Sequence, residues 1–101
     1  MRVRLLDQAK EDMAKIKEYY KEIGGSLLAK KMIQQIKQPV LELENNPEIA
    51  PPYELSPGVR RLVVAGGTFI AFYRVLTEVD VIHIRRAERE PVTADELDKI
   101  I

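Results

Sequence analysis

The stretch VRRLVVAGGTFIAFYRVLTEVDVIHIRR, residues 59–86, decides the fold. It divides into three runs rich in β-branched and aromatic residues: Val59 to Ala65, Thr68 to Leu76 and Val79 to Arg85. Such runs read as strands. Gly66-Gly67 separates the first two, and a glycine pair takes the positive φ of a tight hairpin turn at little cost. Thr77-Glu78 marks a second short turn. Three strands joined this closely form an antiparallel meander.

A sheet with one wet face alternates apolar and polar residues. This one does not. The middle strand carries Phe69, Ala71, Tyr73 and Val75 on one side and Thr68, Ile70, Phe72 and Arg74 on the other. Leu62 and Val64 oppose Val63, while Val79 and Val81 oppose Ile82 and Ile84. Both faces are largely apolar, so both need cover.

Upstream lies cover for one face. Met1 to Leu6 alternates basic and apolar residues and reads as a short strand. Asp7 is the predicted N-cap of a helix with apolar positions Ala9, Met13, Ile16, Tyr20 and Ile23, in steps of three and four. Gly24-Gly25 stops it, and a second helix carries Leu28, Met32, Ile36, Val40 and Leu43 as one stripe. Pro39 predicts a kink, or a break followed by a short helix, because proline removes a donor and clashes one turn back. The two helices read as an antiparallel hairpin. Residues 47–58 hold four prolines and read as an extended connection. Downstream, Thr93 caps a short terminal helix with Leu97, Ile100 and Ile101 on one side.

The order β-α-α-β-β-β-α indicates an α+β fold, a helical hairpin packed on a mainly antiparallel meander, in one domain over residues 1–101. The hairpin covers one face of the sheet. The short terminal helix could cover part of the other. The sheet carries more apolar surface than the helices cover, however, and the expectation is a protein partner on that face with arginines around it as a polar rim.

Charge and composition narrow the function. Sixteen basic residues balance sixteen acidic ones, so no global field draws the chain to nucleic acid, and direct nucleic-acid binding is not expected. Seven of the eight lysines lie between Lys10 and Lys37, whereas Val59 to Arg89 holds six arginines against three carboxylates. Arginine presents a planar fork suited to carboxylates and phosphates. There is no cysteine, which fits a reducing cytoplasm. Met1 to Lys10 lacks the apolar run of a signal peptide, and no stretch approaches the roughly 20 apolar residues of a membrane span.

No self-sufficient catalytic set emerges. His83, the one histidine, sits between Ile82 and Ile84 in a strand and reads as a packed or hydrogen-bonded side chain. Without cysteines or further histidines a transition-metal site has almost no ligands, and no cofactor is implied. Asp95, Glu96 and Asp98 complement a helix dipole. Gly66-Gly67 lacks the lysine and following helix of a phosphate loop, and Ser26 and Ser56 have no base. A metal-free ribonuclease built on Arg60, Arg61, Tyr73, Arg85, Arg86 and Arg89 stays open.

An ordered set of segments resembles a known family. Ala9, Asp12, Ile16 and Tyr20 in the hairpin, then NPE, PGVRRLVV, FIAFYRV and VDVIHIRRAERE, look like the ParE branch of the ParE/RelE toxin superfamily, to about Glu90. The resemblance implies a cytoplasmic bacterial toxin of a type II toxin–antitoxin module, not an enzyme, neutralised by a ParD-like antitoxin whose C-terminal segment wraps it. ParE-like toxins act on DNA gyrase, stalling it on cleaved DNA; RelE-like toxins cut mRNA on the ribosome and are the alternative. Of five positions functional in the RelE type, four fall on Val63, Ile70, Ala87 and Thr93, and Arg61 alone keeps a charge. This favours ParE, although a terminal helix from Thr93 is similar to the RelE arrangement. The expected antitoxin surface is Arg60, Arg61, Ile70, Phe72, Arg74, Ile84, Arg85 and Arg86.

Overall fold

The computed structural model describes residues 1–89 and 91–101. Strand β1 (Val3–Leu5) leads into the long helical segment α1 (Asp7–Leu41), and a 3-10 turn follows at Glu42–Glu44. After an extended connection come β2 (Arg60–Val64), β3 (Phe69–Val75) and β4 (Val79–Arg86), then the terminal helix α2 (Ala94–Ile100). The sheet order is β1-β4-β3-β2, with β1 parallel to β4 and the other pairs antiparallel.

The hairpin turns where the two glycines predict it. Gly25 has φ 87° and ψ 176°, a region open almost only to glycine, and it divides α1 into arms 7–24 and 26–41. Two expectations along α1 need correction. The N-cap is Leu6, without a side-chain cap, and Asp7 lies inside the first turn where its charge meets the helix dipole. Pro39 neither breaks the second arm nor takes non-helical dihedrals; the helix runs on to Leu41. Ile36, Val40 and Leu43 are all buried, at 0–2% exposure. Three such side chains contribute about 1.5–3 kcal/mol each, which outweighs a proline cost of about 3 kcal/mol.

Against the first sheet face, Ala9, Tyr20, Ala29, Ile36, Val40 and Leu43 pack on Phe69, Ala71, Tyr73, Val79 and Val81. The connection after α1 is tied down by the sheet itself. The Tyr73 hydroxyl donates to Pro47 O at 2.8 Å, and the Arg61 amide donates to Pro51 O at 3.1 Å.

The second face is closed by the chain. Val92 and Leu97 bury themselves against Val59, Ile70, Phe72 and Ile82, with Tyr53, Leu6 and Ile100 at the margin. Thr93 Oγ1 accepts the Glu96 amide and caps α2 as the sequence predicts. The Tyr53 hydroxyl donates to Val92 O at 2.5 Å, which pins the segment ahead of the helix. The expectation of an uncovered apolar face is corrected here: the terminal segment covers it, and the sheet's apolar excess does not lie bare.

Candidate interaction surface

A bulge in β4 sets the geometry of the site. Phe72 pairs with His83 while Tyr73 pairs with Val81, so Ile82 is an extra residue on that strand. An inserted residue reverses the alternation beyond it. Ile82 faces the α2 side, yet Ile84 packs with the hairpin-side core. Simple alternation placed both on one face. Beyond the bulge Arg85 reaches toward α2 and Arg86 toward the hairpin.

The Asp12 carboxylate holds the bulged edge. β1 ends at Leu5, where its register with β4 reaches only Val81. Asp12 Oδ2 then accepts the Ile84 amide at 2.9 Å and lies 2.6 Å from His83 Nδ1, while Oδ1 accepts Gln8 Nε2 at 2.9 Å. Burial, the largest single influence, pushes the Asp12 carboxyl up, but the bonds from His83, Ile84 and Gln8 together hold it below the ordinary range. An ionised Asp12 places the His83 proton on Nδ1. His83 is thus hydrogen-bonded and stacked on Phe72, with ring centroids 6.3 Å apart. Asp12 is the residue that sequence reasoning quoted without seeing its task. Its signal was a carboxylate in step with the buried stripe, four residues before Ile16 and eight before Tyr20.

Five of the eight residues chosen from sequence are engaged or covered within the fold. Arg60 is a clamp: its Nη1 donates to Ala50 O at 2.7 Å and Glu48 O at 3.3 Å, holding the connection. Arg74 belongs to a ladder across three strands, in which Asp80 lies between Arg4 Nε at 2.6 Å and Arg74 Nη2 at 3.4 Å. The hydrogen bond from Arg4 is the main reason that the nearly inaccessible Asp80 carboxyl sits below its usual range. Ile84 is core on the hairpin side. Ile70 and Phe72 lie at 6% and 2% exposure beneath the C-terminal segment, so neither is an open contact.

Arg61, Arg85 and Arg86 remain. Arg61 and Arg85 line a cleft of about 120 Å³ between the sheet and residues 91–92. Arg85 pairs with Glu96 of α2 at 3.2 Å, yet its buried Nε has no hydrogen-bond partner among the described residues. Arg61 makes no side-chain hydrogen bond among the described residues, and Val63 on the same face is 47% exposed. Arg86 lies on the hairpin side, its guanidinium carbon 5.0, 5.9 and 5.3 Å from the ring centroids of Tyr19, Tyr20 and Phe69. The residues named for metal-free RNA cleavage are likewise dispersed. Tyr73 and Arg60 are spent on the 47–58 connection, with burial raising the Tyr73 hydroxyl above its usual range. No group of three or more metal-ligating side chains occurs among the described residues, and no described helix is long and apolar enough to cross a membrane.

A helical hairpin on a four-stranded mixed sheet, with basic residues gathered around its last strand, defines a small α+β protein of the toxin class that the sequence suggested. Residues 3–91 match the family described as ParE toxin of type II toxin-antitoxin system, parDE, and the chain belongs to that family. The fold is also similar to a solved structure titled "Chromosomal ParDE TA system from P. aeruginosa", with a TM-score of 0.79 and 29% identity. That likeness covers 87% of this chain and 97% of the other. No curated protein matches the chain. The family match stops at Pro91, just ahead of α2.

Proposed function

We propose that the chain is a non-enzymatic inhibitor of DNA gyrase, acting in the cytoplasm and held inactive by a ParD-like antitoxin. The observation that carries the reading is the family match across the whole hairpin–meander unit. The side chains add support, because His83 is tied to Asp12 and Tyr73 to Pro47, leaving no nucleophile–base pair assembled among the described residues.

The antitoxin surface consistent with this geometry is the α2 face of the sheet, narrower than the eight residues chosen from sequence. Arg61 and the exposed Val63 are available beside α2 without rearrangement, whereas Arg85, its side chain 10% exposed and paired with Glu96, is freed only when α2 moves. Ile70 and Phe72 join them only where residues 91–101 give way to a partner segment. The unsatisfied Arg85 Nε suits an acidic side chain, and truncating a buried charge of this kind at an interface costs about 2–5 kcal/mol.

Two measurements test this. Purified chain added to gyrase and supercoiled plasmid accumulates cleaved DNA; undisturbed supercoiling and cleavage at saturating chain refute the target. Titration calorimetry with a ParD-like antitoxin gives weaker binding for Arg61→Ala and Arg85→Ala, and unchanged affinity in both variants refutes the surface.

A further inference from the structure

Toward the hairpin side of the sheet opens a second basic cleft, which shares Arg85, Arg86 and Arg89 with the cleft beside α2. A cleft of about 270 Å³ opens between the first arm of α1 and the end of β4, with Lys15, Tyr19, Arg86 and Arg89 at its lip and Asp12 and His83 at its floor. Arg86 is its centre. Three aromatic rings approach the guanidinium at 5.0–5.9 Å and fix its position. Among the described residues its one hydrogen bond is a long one, 3.5 Å to the Tyr20 hydroxyl, and no carboxylate of theirs pairs with it. A guanidinium held by rings but unpaired along its edge is prepared for a bidentate oxyanion.

The surroundings reinforce that preference. A turn bond from the Arg89 amide to Arg86 O at 3.3 Å brings the two arginines to the same lip. The one carboxylate among the described residues of the cleft, Asp12, is already engaged by Ile84, His83 and Gln8. Tyr19 is 48% exposed, so a ring surface lies beside the cationic edge. A planar group next to an oxyanion is what a nucleotide offers and a peptide carboxylate does not. Aromatic faces beside unpaired cations are the elements from which single-strand sites are built. Zero net charge speaks only of the averaged field, and Lys15, Arg86 and Arg89 give this lip a local positive charge.

We infer that this cleft binds single-stranded nucleic acid, with one phosphate on Arg86 and Arg89 and a neighbouring base stacked on Tyr19. The inference is independent of the gyrase reading, and unaffected gyrase would leave it standing.

The test is fluorescence anisotropy of the full chain with labelled single strands of about twelve nucleotides, DNA and RNA of one sequence, at about 50 and about 200 mM salt. Binding is strong at the lower salt and falls steeply at the higher. Arg86→Ala and Tyr19→Ala each weaken it about tenfold, and Arg86→Ala also lowers the salt slope by about one. Arg86→Lys, a milder change to the cage, keeps the slope and loses affinity. Lys31→Ala, an exposed charge on the second arm, changes little. Far-UV circular dichroism establishes that each variant is folded. The DNA and RNA arms identify the strand, and binding of either with this sensitivity upholds the inference. Three results overturn it: no binding to either strand at low salt, equal loss in Lys31→Ala and Arg86→Ala, or displacement by a polyglutamate peptide with Tyr19→Ala without effect. The last would assign the cleft to acidic peptides.

Discussion

Replacing Asp12 tests the claim that one carboxylate holds the bulged strand to the hairpin. In Asp12→Ala the Ile84 amide and His83 Nδ1 both lose an acceptor that lies 2.9 and 2.6 Å away. The site is only about one-tenth exposed, at 14% for His83 and 11% for Asp12, so water replaces the carboxylate poorly. Hydrogen bonds to a charged group contribute about 1.5–3 kcal/mol each. Their losses overlap, and a net cost of about 3 kcal/mol follows. A domain of this length has about 5–15 kcal/mol in total, so the change is a large fraction and is easily read by urea unfolding followed by circular dichroism. Asp12→Asn keeps one oxygen for both Ile84 and His83, sets its amide against the Gln8 Nε2 donor, and costs about 1 kcal/mol. The pH dependence has a definite sign. The folded carboxyl titrates below its ordinary value, so the unfolded chain binds the proton more readily. The stability it contributes is complete above the unfolded pKa of about 3.9 and is lost as pH falls through the lower folded value. The gap between wild type and Asp12→Asn therefore narrows from about pH 5 to about pH 3. A gap that stays constant or widens refutes the assignment, as does an Asp12→Ala cost below about 0.5 kcal/mol.

Other positions give sharper structural readouts. Gly25→Ala forces a β-carbon into its glycine-only dihedrals and lowers unfolding free energy by about 1–3 kcal/mol; an unchanged urea midpoint means that the hairpin turns elsewhere. Leu97→Ala removes a fully buried side chain from the α2 face and costs about 2–4 kcal/mol. It also raises binding of an apolar dye, and a variant with wild-type stability and dye binding would place α2 off the sheet. Asp80→Asn leaves Arg4 and Arg74 facing each other without their carboxylate. Arg4 is 56% exposed and partly screened, so the cost is about 2 kcal/mol, below that of a fully buried pair; equal unfolding curves would show the ladder to be idle.

What the sequence disclosed follows from the range of the forces involved. The strand ends fall within a residue of those read from Val59 to Arg85, because β-branched runs and glycine turns are local signals. Gly25 turns the hairpin for the same reason. The faces of β4 were not legible beyond Ile82, since a bulge needs only one unpaired residue and no special residue type marks this one. Ile84 and Arg86 consequently lie opposite to where alternation put them. Arg60 and Arg74 looked like a rim, but each is taken by a partner in another element or the connection, in the carbonyls of Glu48 and Ala50 and in Asp80 across the sheet. Such pairings are invisible until the fold brings them together.

If the proposed antitoxin surface lies on the α2 side, the closed second face alters how recognition there must work. An apolar sheet face left bare would attract any amphipathic segment, with affinity set by area. With Val92 and Leu97 already seated, a partner gains only the difference between its own side chains and these two. Specificity must then come from groups that α2 leaves unsatisfied, and the buried Arg85 Nε is such a group. Glu96 engages Arg85 through Nη1 and leaves that nitrogen unmet. A partner carboxylate that displaced α2 and reached Nε would engage a nitrogen that α2 leaves unmet. The surface is therefore better described by one incompletely paired arginine than by the extent of its apolar area.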